Sequence, residues 1–379
     1  MTSHDLLRSL APGRRRVALL AAASLLCGGC ASRPRPPTEM VVAARLTDTF
    51  DTFLMARAGD ELHILALSGG GQNGAFGAGV LKGWRDAGRP RFDVVTGIST
   101  GALQATHAFL GTPADDDAVG RAYTESSSRD VYCPRAPLAV VFGSSIDDFT
   151  PLRRSLDRLL DDVTIDRVAV ATEGGKRLLL VGTTDLDSGK LAVWDLGALA
   201  RARAYRRYRD VIFASSSPPI DASPDFLNGA MHTDGSVISQ VFVPNPEEHM
   251  SPTRLDAYKA LAEQRSPGRG TLLKVDVILN GLLHNRAKRI SNGAIPIGKR
   301  TVELWLTSAA HGSLWYVFGL TESRHGSFRL LAIPESNRAQ AEDALAFDPE
   351  SMRILYAAGI EAGRNGSSWT KNPTAIDED

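Results

Sequence analysis

The sequence predicts an α/β sandwich with a largely parallel β-sheet, and two observations lead to this prediction. First, the short apolar segments 62–67 and 92–96 are each followed by a glycine-containing loop and a helical pattern, over 74–84 and 100–110. Second, apolar strand patterns and helical patterns keep alternating toward the C-terminus. Such alternation is typical of parallel strands joined by crossover helices.

The remaining elements follow in chain order. Strands over 178–183 and 191–194 flank Asp187-Ser188-Gly189, which favours a hairpin turn. Further strands are predicted over 211–214, 272–279 and 328–333. Asp348-Pro349-Glu350 then opens a final helix that runs to about residue 360, with proline in its first turn.

The charge balance of the 379-residue chain limits its partners. Lys and Arg number 43, as do Asp and Glu, so the formal net charge is zero. This balance indicates no basic nucleic-acid surface, and no nucleic-acid partner is expected.

The N-terminus carries the pattern of a bacterial secretory signal. Arg14, Arg15 and Arg16 precede an apolar run over 17–26, and small residues lead to Cys30. The run is shorter than the roughly 20 apolar residues that span a bilayer. A lipoprotein signal would make Cys30 the acylated first residue of the mature protein, although Cys27 stands where that pattern prefers leucine. Simple cleavage to a soluble periplasmic protein is the alternative.

These patterns divide the chain into four parts. We expect a signal peptide over residues 1–30, a tether and lead-in over 31–60, a folded α/β domain over 61–363 and a polar, frayed tail over 364–379. The expected location is the bacterial cell envelope, either lipid-anchored on the periplasmic side of the outer membrane or free in the periplasm.

A glycine-rich loop, Gly69-Gly70-Gly71-Gln72-Asn73-Gly74, follows the first strand. A phosphate loop is excluded, because no lysine follows at the required spacing. A dinucleotide-binding turn needs an acidic residue ending the second strand, whereas Asp93 begins it. The third possibility is an oxyanion hole, in which glycine amides converge on a reacting oxygen.

The segment after the second strand favours the oxyanion hole. Gly97-Ile98-Ser99-Thr100-Gly101 has the form Gly-x-Ser-x-Gly between a strand and a helix. Small flanking residues permit the tight turn of a nucleophile elbow, which presents the serine hydroxyl at a helix N-terminus. Ser99 is therefore the candidate nucleophile.

A serine nucleophile needs a neighbouring base. His232 is the histidine beside a plausible catalytic loop, in Met231-His232-Thr233-Asp234-Gly235-Ser236. Asp234-Gly235 can also be read as a simple turn.

Taken together, these segments resemble the patatin-like phospholipases. The resemblance rests on the glycine loop over 69–74, the elbow over 97–101, Asp234-Gly235-Ser236, and an Ala-Ser-rich segment with Pro-Pro over 214–219. It covers about residues 62–363. It implies a three-layer α/β/α sandwich with a mainly parallel central sheet.

The resemblance also implies a mechanism. Ser99 would be the nucleophile of a Ser–Asp dyad, Asp234 the general base, and the loop from Gly69 to Gly74 the oxyanion hole. No metal or other cofactor is implied, and the substrate would be a lipid ester. His232 would then be a bystander or a supporting residue.

Two positions depart from the family pattern. Asn73 stands where the family usually has Arg or Lys, so a positive charge near the loop is missing. Ser236 replaces Gly or Ala, which is a small-for-small change.

Two other functions stay open at this point. One is a catalytically inactive envelope lipoprotein that binds lipid or a partner, and the other is a dinucleotide-binding oxidoreductase.

The largely apolar segment 302–306, with Trp315 and Phe318 beyond it, is interpreted as a core element rather than a membrane-facing or lid element. Asp115-Asp116-Asp117 is interpreted as a solvated loop rather than a calcium site.

Overall fold

The structure is a computed structural model that describes residues 46–135, 145–284 and 287–373. The predicted signal peptide, Cys30 and the tether up to residue 45 lie outside the described residues.

The strands are β1 Glu61–Leu67, β2 Val94–Ile98, β3 Cys133–Pro134, β4 Asp147–Asp148, β5 Leu178–Asp185, β6 Lys190–Asp195, β7 Asp225–Leu227, β8 Ala230–Asp234, β9 Leu272–Leu279 and β10 Ser327–Ala332. The main sheet, within the described residues, has eight strands in the order β10-β9-β1-β2-β5-β8-β7, with β6 also paired to β5. Neighbouring strands from β10 to β5 run parallel, whereas β5 pairs antiparallel with both β6 and β8, as does β7 with β8. A separate two-stranded ribbon joins β3 and β4.

Helices cover both faces of this sheet. None of those in the described ranges is long and apolar enough to cross a bilayer. The helices are α1 Leu46–Ala56, α2 Gly74–Asp86, α3 Thr100–Leu110, α4 Pro113–Thr124, α5 Ser128–Val131, α6 Thr150–Leu159, α7 Asp162–Ala171, α8 Leu196–Arg201, α9 Tyr205–Ser215, α10 Pro246–His249, α11 Pro252–Arg265, α12 Ala294–Glu322, α13 Arg338–Ala341 and α14 Pro349–Arg364.

Strand β1 shows how the layers form, because successive side chains of a strand point to opposite faces. Leu65 and Leu67 enter one apolar core with residues of α2, α3 and α14. Ile64 and Ala66 enter a second core with residues of α1, α11 and α12. Both faces of the strand are therefore buried, and the predicted α/β class with a mainly parallel sheet is confirmed.

The strand predicted over 211–214 is wrong. These residues form the end of helix α9, which begins at Tyr205. Tyr208, Val211 and Ile212 are all buried, at the i, i+3 and i+4 spacing of one helix face. A four-residue apolar run fits either a strand or a helix, and here the packing of the longer segment decides.

Both ends of the domain differ from the expectation. Helix α1 lies in the predicted lead-in and buries Phe50 and Phe53 in the second core. In the described part of the predicted tail, Trp369 packs against Trp84, with ring centroids 4.6 Å apart. Thr370 also forms an antiparallel bridge with Leu330. Residues up to Thr370 therefore belong to the packed structure rather than to a frayed end.

Candidate active site

Ser99 lies in the sharp turn between β2 and α3. Its backbone adopts φ 53° and ψ −124°, a positive φ that is rare and strained for a residue with a side chain. The two flanking glycines permit this turn. A Cβ on Gly101 would lie 2.2 Å from the carbonyl oxygen of Leu67, and one on Gly97 would lie 2.6 Å from that of Gly101. The predicted elbow is therefore present in the structure.

The structure brings Ser99 and Asp234 into direct contact. Ser99 Oγ donates a hydrogen bond to Asp234 Oδ2 at 2.6 Å, and both residues are buried. The two residues are 135 positions apart in the sequence, and strand β5 brings them together. Ile98 pairs with Gly182 on one side of β5, and Asp234 pairs with Thr183 on the other.

The environment of Asp234 changes its acidity. Burial raises the pKa of this carboxyl group to about 6, although hydrogen bonds from Ser99 and Ser236 act in the opposite direction. Gly235 follows it in the tight turn, where a Cβ would lie 2.5 Å from the carbonyl oxygen of Gly182. A carboxylate with a pKa near 6 is ionised at neutral pH and can still accept a proton in a reaction.

Two serines hold the peptide units on both sides of Ser99. Ser215 Oγ accepts a hydrogen bond from the Ser99 amide at 3.0 Å and donates to the Gly182 carbonyl at 2.7 Å. Ser216 Oγ donates to the Ser99 carbonyl at 3.0 Å. Neither serine was predicted to have a role at the site. The signal that points to them is the Ala-Ser-rich segment over 214–219.

The glycine loop lies beside the nucleophile. A Cβ on Gly69 would lie 3.2 Å from Ser99 Cβ. Four of the six loop amides already have acceptors: Gly69 donates to Gln240, Gln72 to Ala344, Asn73 to Gly70, and Gly74 to the Gly71 and Gln72 carbonyls. Among the described residues, the amides of Gly70 and Gly71 have no acceptor. These two are therefore the loop donors available to an oxyanion.

The side chains of Gln72 and Asn73 bind the C-terminal part of the domain. Gln72 Nε2 donates to the Asp343 carbonyl at 2.7 Å, and Gln72 Oε1 accepts from the Asp348 amide at 2.7 Å. Asn73 Nδ2 donates to the Ala341 carbonyl at 3.0 Å. Both side chains are buried. They tie the glycine loop to the segment before α14 rather than supplying charge to the site.

Ser99, Asp234 and the glycines from Gly69 to Gly71 line a cavity of about 260 Å³. Most of its wall is apolar. The apolar wall includes Leu103, Phe149, Leu152, Leu282, Leu306 and Phe347. A polar reaction centre at an apolar cavity suits a substrate with a hydrocarbon portion.

His232 does not contact Ser99. Its Nδ1 pairs with Thr183 Oγ1 at 2.9 Å, and its ring packs against Trp194. Burial lowers the pKa of its imidazole. This placement agrees with the expectation that His232 is not the base. In the described ranges, no cluster of His, Cys, Asp and Glu side chains is arranged to hold a metal ion.

Among solved structures, the crystal structure of VipD from Legionella pneumophila matches with a TM-score of 0.32 and 10% sequence identity, over 79% of this chain and 67% of that chain. A search of curated proteins finds no match. A family model described as "Patatin-like phospholipase" matches residues 65–245, which include the glycine loop, the elbow and Asp234. Residues 65–245 of the chain therefore match a patatin-like phospholipase domain.

Proposed function

We propose that this protein is a serine hydrolase that cleaves carboxylic esters of lipids through a Ser99–Asp234 dyad. A patatin-like phospholipase domain supports lipid acyl hydrolysis in general. The observation that supports the dyad is the 2.6 Å hydrogen bond from Ser99 Oγ to Asp234 Oδ2 at the wall of an apolar cavity.

In the acylation step, Ser99 Oγ adds to the ester carbonyl carbon while its proton passes to Oδ2 of Asp234. The tetrahedral intermediate then collapses, and the bond to the alkoxy oxygen breaks. That oxygen takes the proton from Asp234 and leaves as an alcohol. Ser99 now carries the acyl group as an ester.

In the deacylation step, a water molecule takes the place of the alcohol. It adds to the acyl carbon and gives its proton to Asp234. The bond to Ser99 Oγ breaks, Ser99 recovers the proton, and the fatty acid leaves. Asp234 thus serves as base and then acid in each half of the cycle.

Both tetrahedral intermediates carry negative charge on the former carbonyl oxygen. The Gly70 and Gly71 amides are the loop donors available to stabilise it. The N-terminus of α3 adds a favourable dipole next to Ser99. Each lost donor would cost a factor of roughly 10² to 10³ in rate.

The test uses a fluorophosphonate probe and a soluble short-chain ester. An activated serine displaces fluoride and becomes phosphonylated, so labelling does not require the natural lipid. We expect the parent to label at Ser99. We also expect Ser99→Ala to abolish labelling and to lower ester hydrolysis by at least about 10³-fold.

Ser266→Ala is the matched control, because it removes a half-buried serine hydroxyl whose hydrogen bond goes to Gly59, outside the cavity lining. It should label and hydrolyse like the parent. A parent that neither labels nor hydrolyses would favour the inactive lipid-binding lipoprotein instead. Hydrolysis that survives Ser99→Ala unchanged would refute the dyad.

We also propose that an acyl group on Cys30 attaches the protein to the bacterial envelope. The basis is the N-terminal signal pattern of the sequence. Cells that express the full chain should incorporate labelled palmitate into it, and Cys30→Ser should abolish that labelling. Equal labelling of the two proteins would contradict this attachment.

A further inference from the structure

Helix α12 presents an uncharged face to solvent. Eight of its exposed positions lie on one face at helical spacing: 301, 304, 305, 308, 312, 315, 316 and 319. Leu304, Trp305, Trp315 and Tyr316 are 44 to 48% exposed. From residue 304 to residue 321 the sequence contains no Asp, Glu, Lys or Arg. We call the surface formed by these four side chains the α12 face.

The opposite side of the same helix already has its partner. Ala310, Leu314 and Val317 are buried in the core between α12 and the sheet. Within the α12 face, Tyr316 reaches Asn245 and Glu248 through its hydroxyl and Trp315 touches Phe318, yet both side chains remain nearly half exposed. Solvent-exposed helix faces are normally polar, so an uncharged face with two tryptophans indicates a binding surface.

The α12 face is continuous with the cavity that holds Ser99. Trp305 belongs to the face and also lines the cavity, together with its helix neighbours Val302 and Leu306. Leu345, which is 36% exposed, lines the same cavity from another segment. Apolar surface therefore leads from the exterior of the helix to the reaction centre.

Positive charge precedes the α12 face along the chain. The sequence from 287 to 303 contains Lys288, Arg289, Lys299 and Arg300 but one carboxylate, Glu303. Lys288 and Arg300 both pair with Glu303, at 2.9 and 2.6 Å. The segment keeps a positive balance, which is complementary to anionic lipid head groups.

We propose that the α12 face docks on an anionic lipid bilayer and places the cavity mouth at the membrane surface. This inference rests on the proposed function, because esters in the bilayer would then enter the cavity past Val302 and Trp305. A protein partner seated on the same face would cover the entrance that these side chains form. Tryptophan and tyrosine also favour the interfacial region of a bilayer, where one end of the ring is apolar and the other polar.

The test measures contact between the two exposed indoles and lipid. The full chain with Ser99→Ala is mixed with vesicles of phosphatidylglycerol and brominated phosphatidylcholine, so that the lipid is not hydrolysed. Bromine quenches tryptophan fluorescence on contact. We expect quenching, and we expect it to disappear when Trp305→Phe and Trp315→Phe are combined. Attachment through the N-terminal segment alone would not quench these indoles.

Leu304→Asp tests the face without altering a cavity residue. It should raise the lipid concentration needed for half-maximal quenching by about tenfold or more, since a buried leucine contact with lipid is lost and a like charge is added. Val163→Asp is the matched control, because Val163 is 68% exposed on helix α7. It should bind like the parent. Vesicles of phosphatidylcholine alone, or about 0.5 M salt, should weaken binding.

Three results would overturn the docking proposal. The first is no quenching in the parent, and the second is equal quenching in the double Phe variant or in Leu304→Asp. The third is a dimer in gel filtration that Leu304→Asp converts to a monomer, which would make a second copy the occupant. Fluorophosphonate labelling is measured on the protein with Ser99 intact. Quenching without labelling would refute the hydrolase alone, and labelling without quenching would refute the docking surface alone.

Discussion

Asp234 accepts a hydrogen bond from the backbone amide of Ser236 at 2.8 Å through Oδ1, which leaves Oδ2 to face Ser99. The bond forms within the turn that ends β8, where Asp234 caps the short helix 235–237. In a catalytic triad, a third side chain orients the base. Here the backbone amide of Ser236, two residues further on, orients the carboxylate, so the proposed dyad needs no third side chain.

The pKa of Asp234 predicts the pH dependence of ester hydrolysis. The base must be deprotonated to accept the Ser99 proton, and its pKa is raised to about 6. We therefore expect kcat/KM for a soluble ester to rise with pH and to reach half of its plateau near pH 6. A half-maximum close to the unperturbed value of about 4 would contradict the raised pKa of Asp234.

Asp234→Asn should separate activity from stability. Without a base, hydrolysis should fall by about 10³-fold or more. The folded-state pKa of Asp234 lies above the unfolded value of about 4, so stability is lost as the pH rises from about 4 to about 6 and stays lower above that. The variant should then gain up to about 3 kcal/mol in the free energy of unfolding at pH 8.

Below about pH 4, Asp234 is protonated in both states and this gain should vanish. Urea unfolding of the parent and the variant at both pH values checks the sign. A variant that is less stable than the parent at pH 8 would contradict the prediction.

Gly101→Ala should damage the elbow. Its Cβ would meet the Leu67 carbonyl oxygen at 2.2 Å, and backbone cannot move aside cheaply. We expect hydrolysis to fall by about 10²-fold, because small displacements of catalytic groups have effects of this size. Gly312→Ala is the control: no atom would lie within 4 Å of its Cβ, and alanine favours a helix interior by about 1 kcal/mol. Equal activity and equal melting temperatures in the two variants would contradict this account.

Ionisation of Asp115 should make the free energy of unfolding depend on pH in the acid range. Its buried carboxylate accepts two hydrogen bonds from Arg167, at 2.9 and 2.7 Å. Burial opposes ionisation of Asp115, but hydrogen bonds from His107, Arg167 and Thr112 together lower its pKa. The stabilisation is therefore present above the unfolded pKa of about 4 and is lost as the pH falls further.

Asp115→Asn should lower the free energy of unfolding by about 2 kcal/mol at pH 7, since buried His107 loses its carboxylate partner while the partly exposed Arg167 can be solvated again. Exposed Asp256→Asn should change it by less than about 0.5 kcal/mol. Urea titrations at pH 7 and near pH 3 test both statements. A deficit of Asp115→Asn that stays the same near pH 3 would contradict the assigned cause.

The sequence predicted the elements that local pattern determines. Strands β1 and β2 and helices α2 and α3 are confirmed within two residues, because each strand, glycine turn and helix is specified within its own segment. The solvated loop predicted for Asp115 to Asp117 is wrong: these residues begin helix α4, and Asp115 and Asp116 are buried with arginine partners. Those partners lie far away in the sequence, so a local sequence pattern does not reveal them.

The sequence also predicted part of the candidate site. Ser99 and Asp234 follow from ordered motifs, and the structure places them in contact. The sequence does not show which loop amides are already occupied. The Gly69 and Gln72 amides donate to the carbonyls of Gln240 and Ala344, which lie more than 100 residues away in the sequence. The core interpretation of residues 302–306 holds in part: Leu306 is half-buried at the cavity, while Leu304 and Trp305 are exposed. Helix periodicity identifies an apolar side but not what covers it.

The antiparallel pairing of β8 with β5 has a consequence for folding. Asp234 stands level with Thr183 in one pairing of the two strands. Sliding β8 by two residues would keep each side chain on its own face, yet would carry the carboxylate about 7 Å along the sheet. Circular dichroism would barely register that misalignment, whereas the serine would lose its proton acceptor. The rate at which hydrolytic activity returns after dilution from denaturant would therefore report how fast the β7–β8 hairpin reaches its native register.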